Sequence, residues 1–184
     1  MTEPNTASPT EALKTIMGNA LGAAKNGAPT QATYRVDVEL GDGVTAEARA
    51  RQFRLVIDEP PSFGGRDAGP NPEEVLLAGV GACQTITAAL FAALLDIPIT
   101  KYHVRLRGDA DFGGFYGLHD NLPVGFERVR CDVTIEADAP EEQLRDFEAM
   151  VEARCLGHGT LRQPVPVEST LHIVPTRQTA DNGA

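Results

Sequence analysis

Apolar and polar positions alternate along this chain with periods that change from segment to segment, and each change marks an element. From Thr33 to Leu40, Tyr34, Val36, Val38 and Leu40 share one face while Arg35, Asp37 and Glu39 share the other, which predicts a half-buried strand. Asp42 and Gly43 then turn the chain. A second run, Val44 to Ile57, begins with Val44, Ala46, Ala48 and Ala50 inward and continues with Phe53, Leu55 and Ile57 inward. The parity change predicts a bulge or a break into two strands near Arg51. Residues 60–70, PPSFGGRDAGP, read as loop.

The period then switches to that of a helix. Asn71 is an N-cap, Pro72 suits the first helical position, and Glu74 completes a capping-box spacing before VLLAGVGACQTITAALFAALL. The helix should reach about Leu95, ahead of Pro98. It is apolar nearly all round, so it belongs in the middle of something. Residues Val75 to Leu95 are also numerous enough to span a bilayer. Gln84, Thr85 and Thr87 interrupt the run, Ala and Gly dominate it, and strand-like sequence follows, all of which favour a core helix and no membrane partner.

Further on, a strand is expected over Ile99–Arg107, then a Gly-rich loop from Gly108 to Gly125, then a strand carrying Val129, Cys131, Val133 and Ile135. Asp138 and Pro140 start a second helix with Leu144, Phe147 and Val151 as its apolar stripe. It ends at Arg154 or Cys155, just before Gly157. Val165, Val167, Leu171 and Ile173 predict a last strand. Upstream, Leu13, Ile16, Met17, Ala20, Leu21 and Ala24 give a modest helix over Pro9–Lys25, ended by Asn26 and Gly27. The chain thus divides into a 1–30 extension with one helix, a main domain over 31–175 and a polar tail, 176–184. Strands, long helix, strands, helix, strand is an α+β plan.

Composition narrows the partners. The 184 residues suffice for one substantial core. Net charge is −10 and only 3 of the 16 basic residues are Lys, so no basic stripe exists for a phosphate backbone and nucleic acid is not an expected partner. MTEPNTASPTEALK lacks the basic start and apolar run of a secretory signal, which points to the cytoplasm and to thiols that are reduced at rest. Three cysteines, at 83, 131 and 155, are an odd and widely spaced set rather than a disulfide framework.

The three differ in setting. Cys131 is in register with Val129, Val133 and Ile135 and reads as a small buried hydrophobe. Cys83 lies in the middle of the apolar helix, where low dielectric opposes ionisation and the helix dipole has faded, so reactivity there requires a cation from elsewhere. Cys155, at a helix end beside Gly157, is the best placed to move, which suits a resolving thiol. Cys155 and His158 have a CxxH spacing without a second pair, a weak metal signal. His103, His119 and His172 read as strand or loop residues.

The segment from Asn71 to Cys83, NPEEVLLAGVGAC, resembles the central-helix motif of the OsmC/Ohr family, the osmotically inducible and organic-hydroperoxide-resistance proteins. EEQLRDFEAMVEARC followed by LGHGTLRQPVPVE resembles that family's second cysteine motif and closing strand. The likeness covers roughly residues 33 to 174. It implies an OsmC/Ohr-like intertwined homodimer, with a long central helix packed against antiparallel-rich β-sheets and active sites at the dimer interface. It also implies thiol-dependent reduction of a hydroperoxide, organic or hydrogen peroxide, without a cofactor or metal and with a dithiol or other thiol as reductant. Carried over, Cys83 is the peroxidatic thiol, Cys155 the resolving thiol and Glu73 the glutamate that orients an activating arginine. Arg66, in the loop before the helix, is the preferred arginine and Arg54 its rival, each with the plain alternative of a solvated surface charge.

Two features test the transfer. Ten helical residues hold Glu73 about 15 Å from Cys83 along the axis, so the two meet only through an interposed arginine or across a dimer with an antiparallel partner helix. Ala78, Gly79, Gly81 and Ala82 would allow such helices to approach. Leu156-Gly157-His158 follows Cys155 where the family usually has Pro-Val, and the N-terminal helix lies outside the family pattern. Phe112, Phe115 and Tyr116 could favour a bulky organic peroxide or simply pack in the core. A noncatalytic module holding an apolar ligand in the interface pocket is the alternative function.

Overall fold

The computed structural model describes residues 8–118, 122 and 124–175. The chain forms two small antiparallel sheets and a long helix, and the second sheet packs on that helix. The first sheet has strands β1 (Asp37–Leu40), β2 (Ala46–Ala50) and β3 (Phe53–Ile57) in that order. The parity change near Arg51 is a break into two strands: Ala50 pairs with Phe53, and Arg51 takes a positive φ of 56° in the two-residue turn between them.

Helix α2 (Pro72–Leu94) begins as its sequence requires. The Asn71 side chain accepts the Glu74 N–H at 2.8 Å and the Glu74 carboxylate accepts the Asn71 N–H at 2.9 Å. This reciprocal cap satisfies two otherwise orphaned donors, a contribution of about 1 kcal/mol. The second sheet pairs β4 (Ile99–Ala110) with β5 (Phe126–Ala137), and Leu106 lies opposite Cys131. Gly81 turns toward this sheet: a Cβ there would stand 2.7 Å from the Leu106 side chain. It serves packing within the chain, whereas Gly79 has open space around it.

Helix α4 (Glu141–Arg154) closes over the other side; between β4 and β5 lies the single turn α3 (Phe112–Phe115). The core consists of Ala88, Ala92 and Ile97 from α2 and its exit, against Phe147 and Val151 of α4, with Tyr102 and Ile135 of the second sheet packed around them. The N-terminal helix α1 spans Pro9–Lys25, capped by Ser8, and is tied to the α2 exit by Lys14, whose ammonium lies 2.6 Å from Asp96. The tail 176–184, His119 and part of the Gly-rich loop lie outside the described residues.

Three expectations need correction. Residues 163–175 form no strand, and Val167, Leu171 and Ile173 are 88%, 83% and 78% exposed. A strand needs a partner for its backbone hydrogen bonds, and among the described residues this segment pairs with none of the five strands. β1 begins only at Asp37 rather than Thr33, and it is exposed on both faces rather than half-buried, because among the described residues nothing covers the first sheet there. Finally, a short helix α5 (Leu156–Arg162) directly follows α4, where only a helix end was expected.

Candidate active site

The geometry of the thiols follows from α5. Cys155 ends α4 with an extended backbone and is also the N-cap of α5, so the chain bends there and runs the first turn of α5 against α2. The Gly157 N–H donates to the Cys83 sulfur at 3.3 Å. A side chain at 157 could not be accommodated freely: its Cβ would lie 3.1 Å from the Val80 Cα and 3.3 Å from the Cys83 Cβ. The absence of a side chain at Gly157 is therefore what lets this backbone approach α2 so closely.

Cys83 and Cys155, 72 residues apart in sequence, are thus neighbours. Cys155 is 2% exposed and both are free thiols. Burial pushes the Cys155 thiol up; the His158 amide offsets part of this, and the adjoining Cys83 raises it further by hydrogen bonding and charge. At neutral pH Cys155 is therefore a protonated thiol beside Cys83. The pair can form a disulfide once one sulfur is oxidised.

The next residue on α2 faces elsewhere, as the roughly 100° step of a helix requires. Gln84 is fully buried, and its amide donates to the Glu148 carboxylate at 2.7 Å and to the Tyr102 hydroxyl at 3.2 Å. Tyr102 donates in turn to Glu148 at 2.5 Å, and the Cys131 thiol donates to the Gln84 carbonyl at 3.1 Å. This cluster joins α2, β4, β5 and α4. Cys131 is thus half-buried and hydrogen-bonded rather than a plain apolar filler. Burial pushes its thiol up, and the charges of Glu148, Glu152 and Asp132 add to that. Burial also raises Glu148, partly offset by its bonds from Tyr102 and Gln84.

The remaining expected residues stand apart from Cys83. Glu73 lies in the exposed first turn of α2, about 15 Å along the helix before Cys83. Arg66 pairs with Asp42 at 2.9 Å, and Arg54 pairs with Glu47; among the described residues neither bonds to Cys83. Asp58 organises the intervening loop. It is 1% exposed and accepts from the Ala68, Arg66 and Glu59 amides and the Thr45 hydroxyl, which hold its carboxyl below the ordinary range.

Around Glu73 opens a cavity of about 710 Å³, walled by Phe63, Phe112, Phe115 and Phe126. The Phe63 and Phe112 rings are 5.5 Å apart and Phe115 and Tyr116 complete the cluster. Sequence reasoning found three of these aromatics but had no means of joining them to Phe63, which a single 3-10 turn, Pro61–Phe63, carries in from a distant loop. It missed Gly157, Gln84 and Glu148. Gly157 was legible as a helix stop, a source of mobility for Cys155 and a departure from a pattern, not as a residue inside α5 against Cys83, while Gln84 and Glu148 looked like ordinary polar residues on two helices.

Comparison with known proteins follows the same outline. The family model described as OsmC-like protein matches residues 64–170. A hydroperoxide reductase of Mycoplasma genitalium is 28% identical over 131 residues, covering 70% of this chain and 86% of that protein. Its counterpart from Mycoplasma pneumoniae is 26% identical over 132 residues, 70% of this chain and 86% of the relative. Among solved structures, an OsmC-like protein from Mycoplasma pneumoniae superposes with a TM-score of 0.63 at 25% identity, over 72% of this chain and 89% of that one. An OsmC-like protein from Vibrio cholerae gives 0.55 at 13% identity, over 71% and 94%, and speaks to the fold alone.

Proposed function

The chain belongs to the OsmC-like family, and on that premise we propose that it is a cysteine-based hydroperoxide reductase working through Cys83 and Cys155. The observation that carries this reading is the meeting of the two thiols at the Gly157 amide. The Cys83 thiolate attacks one peroxide oxygen. The O–O bond breaks, Cys83 becomes a sulfenic acid, and the other oxygen leaves with a proton as an alcohol, or as water from hydrogen peroxide. The Cys155 sulfur then attacks the Cys83 sulfur, forming the disulfide and releasing water. A dithiol, or two equivalents of a monothiol, restores both thiols by exchange and is itself oxidised to a disulfide. No cofactor or metal enters this sequence.

Activation of Cys83 is assigned to Arg66, oriented by Glu73, with Arg54 as the alternative. Arg66 is held by an exposed pair with Asp42, 63% and 84% accessible, which is worth at most about 1 kcal/mol and is readily exchanged. Because Glu73 stands about 15 Å along the helix from Cys83, the site is completed by a second copy. Support comes from what a single chain leaves uncovered. α2 has the length and apolar composition of a membrane span, yet only 28% of its most apolar window is buried. Val38 and Leu40 of β1 and the alternating residues of 163–175 are exposed as well. A homodimer covers these faces and supplies a strand partner for residues 163–175. The cytoplasm, where thiols stay reduced, is the proposed compartment.

The test is consumption of an organic hydroperoxide by the reduced protein with a dithiol present. Turnover by the wild type and none by Cys83→Ser is expected. No turnover with any dithiol would favour the noncatalytic alternative, an apolar-ligand binder, which the cavity beside Glu73 would serve. A monomeric variant with full activity would contradict the dimeric site.

A further inference from the structure

How closely the two thiols approach depends on how α4 lies on α2, since Cys83 sits inside one helix and Cys155 ends the other. Much of that contact is apolar, with Ala88 and Ala92 against Phe147 and Val151. Such packing is non-directional and by itself fixes the register of one helix on the other only loosely. Among the described residues a single hydrogen bond joins the two helices, from the Gln84 amide to the Glu148 carboxylate at 2.7 Å. The Tyr102 hydroxyl of β4 donates to the other oxygen of that carboxylate at 2.5 Å. Gln84 is wholly buried and its carbonyl accepts the Cys131 thiol, so a shift of α4 would strand buried polar groups. The cluster also stands next to both thiols in sequence. Gln84 directly follows Cys83, and Glu148 precedes Cys155 by seven residues, about two turns along one face of α4. His158 of α5 is close enough for its charge to favour the ionised Glu148, so α2, β4, α4 and α5 converge on this one side chain.

We infer that Glu148 is a positioning residue for disulfide formation, holding α4 in the register on α2 that brings Cys155 to Cys83. Among the described residues no hydrogen bond joins it to either of those sulfurs. It acts through Gln84 and Tyr102, and what matters is the reach of its two oxygens rather than its charge. A disulfide forms only over a narrow range of Cβ separations, so a displacement of about 1 Å here weighs on that step. Attack of Cys83 on a peroxide involves one sulfur and is independent of it. The inference deepens the peroxidase reading and rests on it for the place of this step in turnover, but the disulfide can be made without a peroxide.

Exchange with glutathione isolates the step. Oxidised glutathione takes the reduced full chain to the Cys83–Cys155 disulfide and is released as two reduced molecules, and the equilibrium gives the effective concentration of one thiol toward the other. Glu148→Asp keeps the charge but withdraws the carboxylate by one methylene, and should lower that effective concentration about tenfold. Glu148→Gln keeps the reach, its carbonyl accepting from Gln84 and its amide donating to the Tyr102 oxygen, and should stay within about threefold of the wild type. Oxidation of Cys83 by an organic hydroperoxide, timed separately, should change by less than about twofold in either variant, which a general loosening of the fold would not allow. An Asp variant equal to the wild type, a Gln variant as impaired as the Asp variant, or an equal slowing of peroxide attack would overturn the inference. So would a wild type that forms no Cys83–Cys155 disulfide with glutathione. The expected order in a protein inert to hydroperoxides would leave the inference standing and remove only the peroxidase reading.

Discussion

Two thiols are set on either side of one helix by neighbouring residues, and they have opposite surroundings. On one side Cys83 meets a backbone amide, a second thiol and a short helix that begins at that thiol. On the other, Gln84 anchors Cys131 in a buried cluster with Tyr102 and Glu148, where desolvation and acidic neighbours both oppose a thiolate. Both cysteines are half-buried, so accessibility does not distinguish them. What differs is the polarity of what they touch: an N–H donor and a second thiol for one, a carbonyl acceptor and carboxylates for the other.

The strongest way to break that contrast is to remove the thiols singly. Cys83→Ser should abolish peroxide consumption, a loss of about a hundredfold or more, whereas Cys131→Ser should leave the rate within about twofold, as expected for a thiol outside the reacting pair. Steady-state assays with one organic hydroperoxide decide it. Next is the cluster that fixes the Cys131 side. Gln84→Leu strips the Glu148 carboxylate and the Cys131 thiol of buried partners and should cost about 1–3 kcal/mol in denaturant unfolding.

A subtler change acts on the Cys83 side. Gly157→Ala places a methyl 3.1 Å from the Val80 Cα and 3.3 Å from the Cys83 Cβ, pushing α5 off α2. Stopped-flow measurement of disulfide formation should show it slowed by about tenfold, the scale of a small displacement of reacting groups. The smallest effect concerns the loop that carries Arg66 and Phe63. Because the folded Asp58 carboxyl is held low by amide donors, its contribution to stability is complete above the ordinary Asp value, about 3.9, and is lost as pH falls through the lower folded value. Asp58→Asn should lack that acid-dependent component when unfolding is followed between neutral and acid pH.

How much of this was legible depended on whether a feature was local. The capped start of α2, the limits of α1, the hairpin near Arg51 and the Cys131 strand follow from residues within a few positions of one another. The motifs around Cys83 and Cys155 were local too, and they indicated the family. Gly157's contact with Cys83, by contrast, depends on where α4 ends in space, and the Gln84 cluster draws on four elements, so no spacing announces either. The alternation over Val165–Ile173 misled for another reason. A period of two states that a segment is fit to be a strand, but pairing also requires docking on an edge, and among the described residues this segment docks on none.

The central claim is that Cys83 and Cys155, and not Cys131, form the redox pair. Its most direct test is intact-mass analysis and peptide mapping of the reduced protein after one equivalent of an organic hydroperoxide. A loss of two hydrogens that maps to a Cys83–Cys155 disulfide, and is absent from Cys83→Ser, is the expected result. A disulfide containing Cys131, or a Cys83 unchanged by the peroxide, would contradict it.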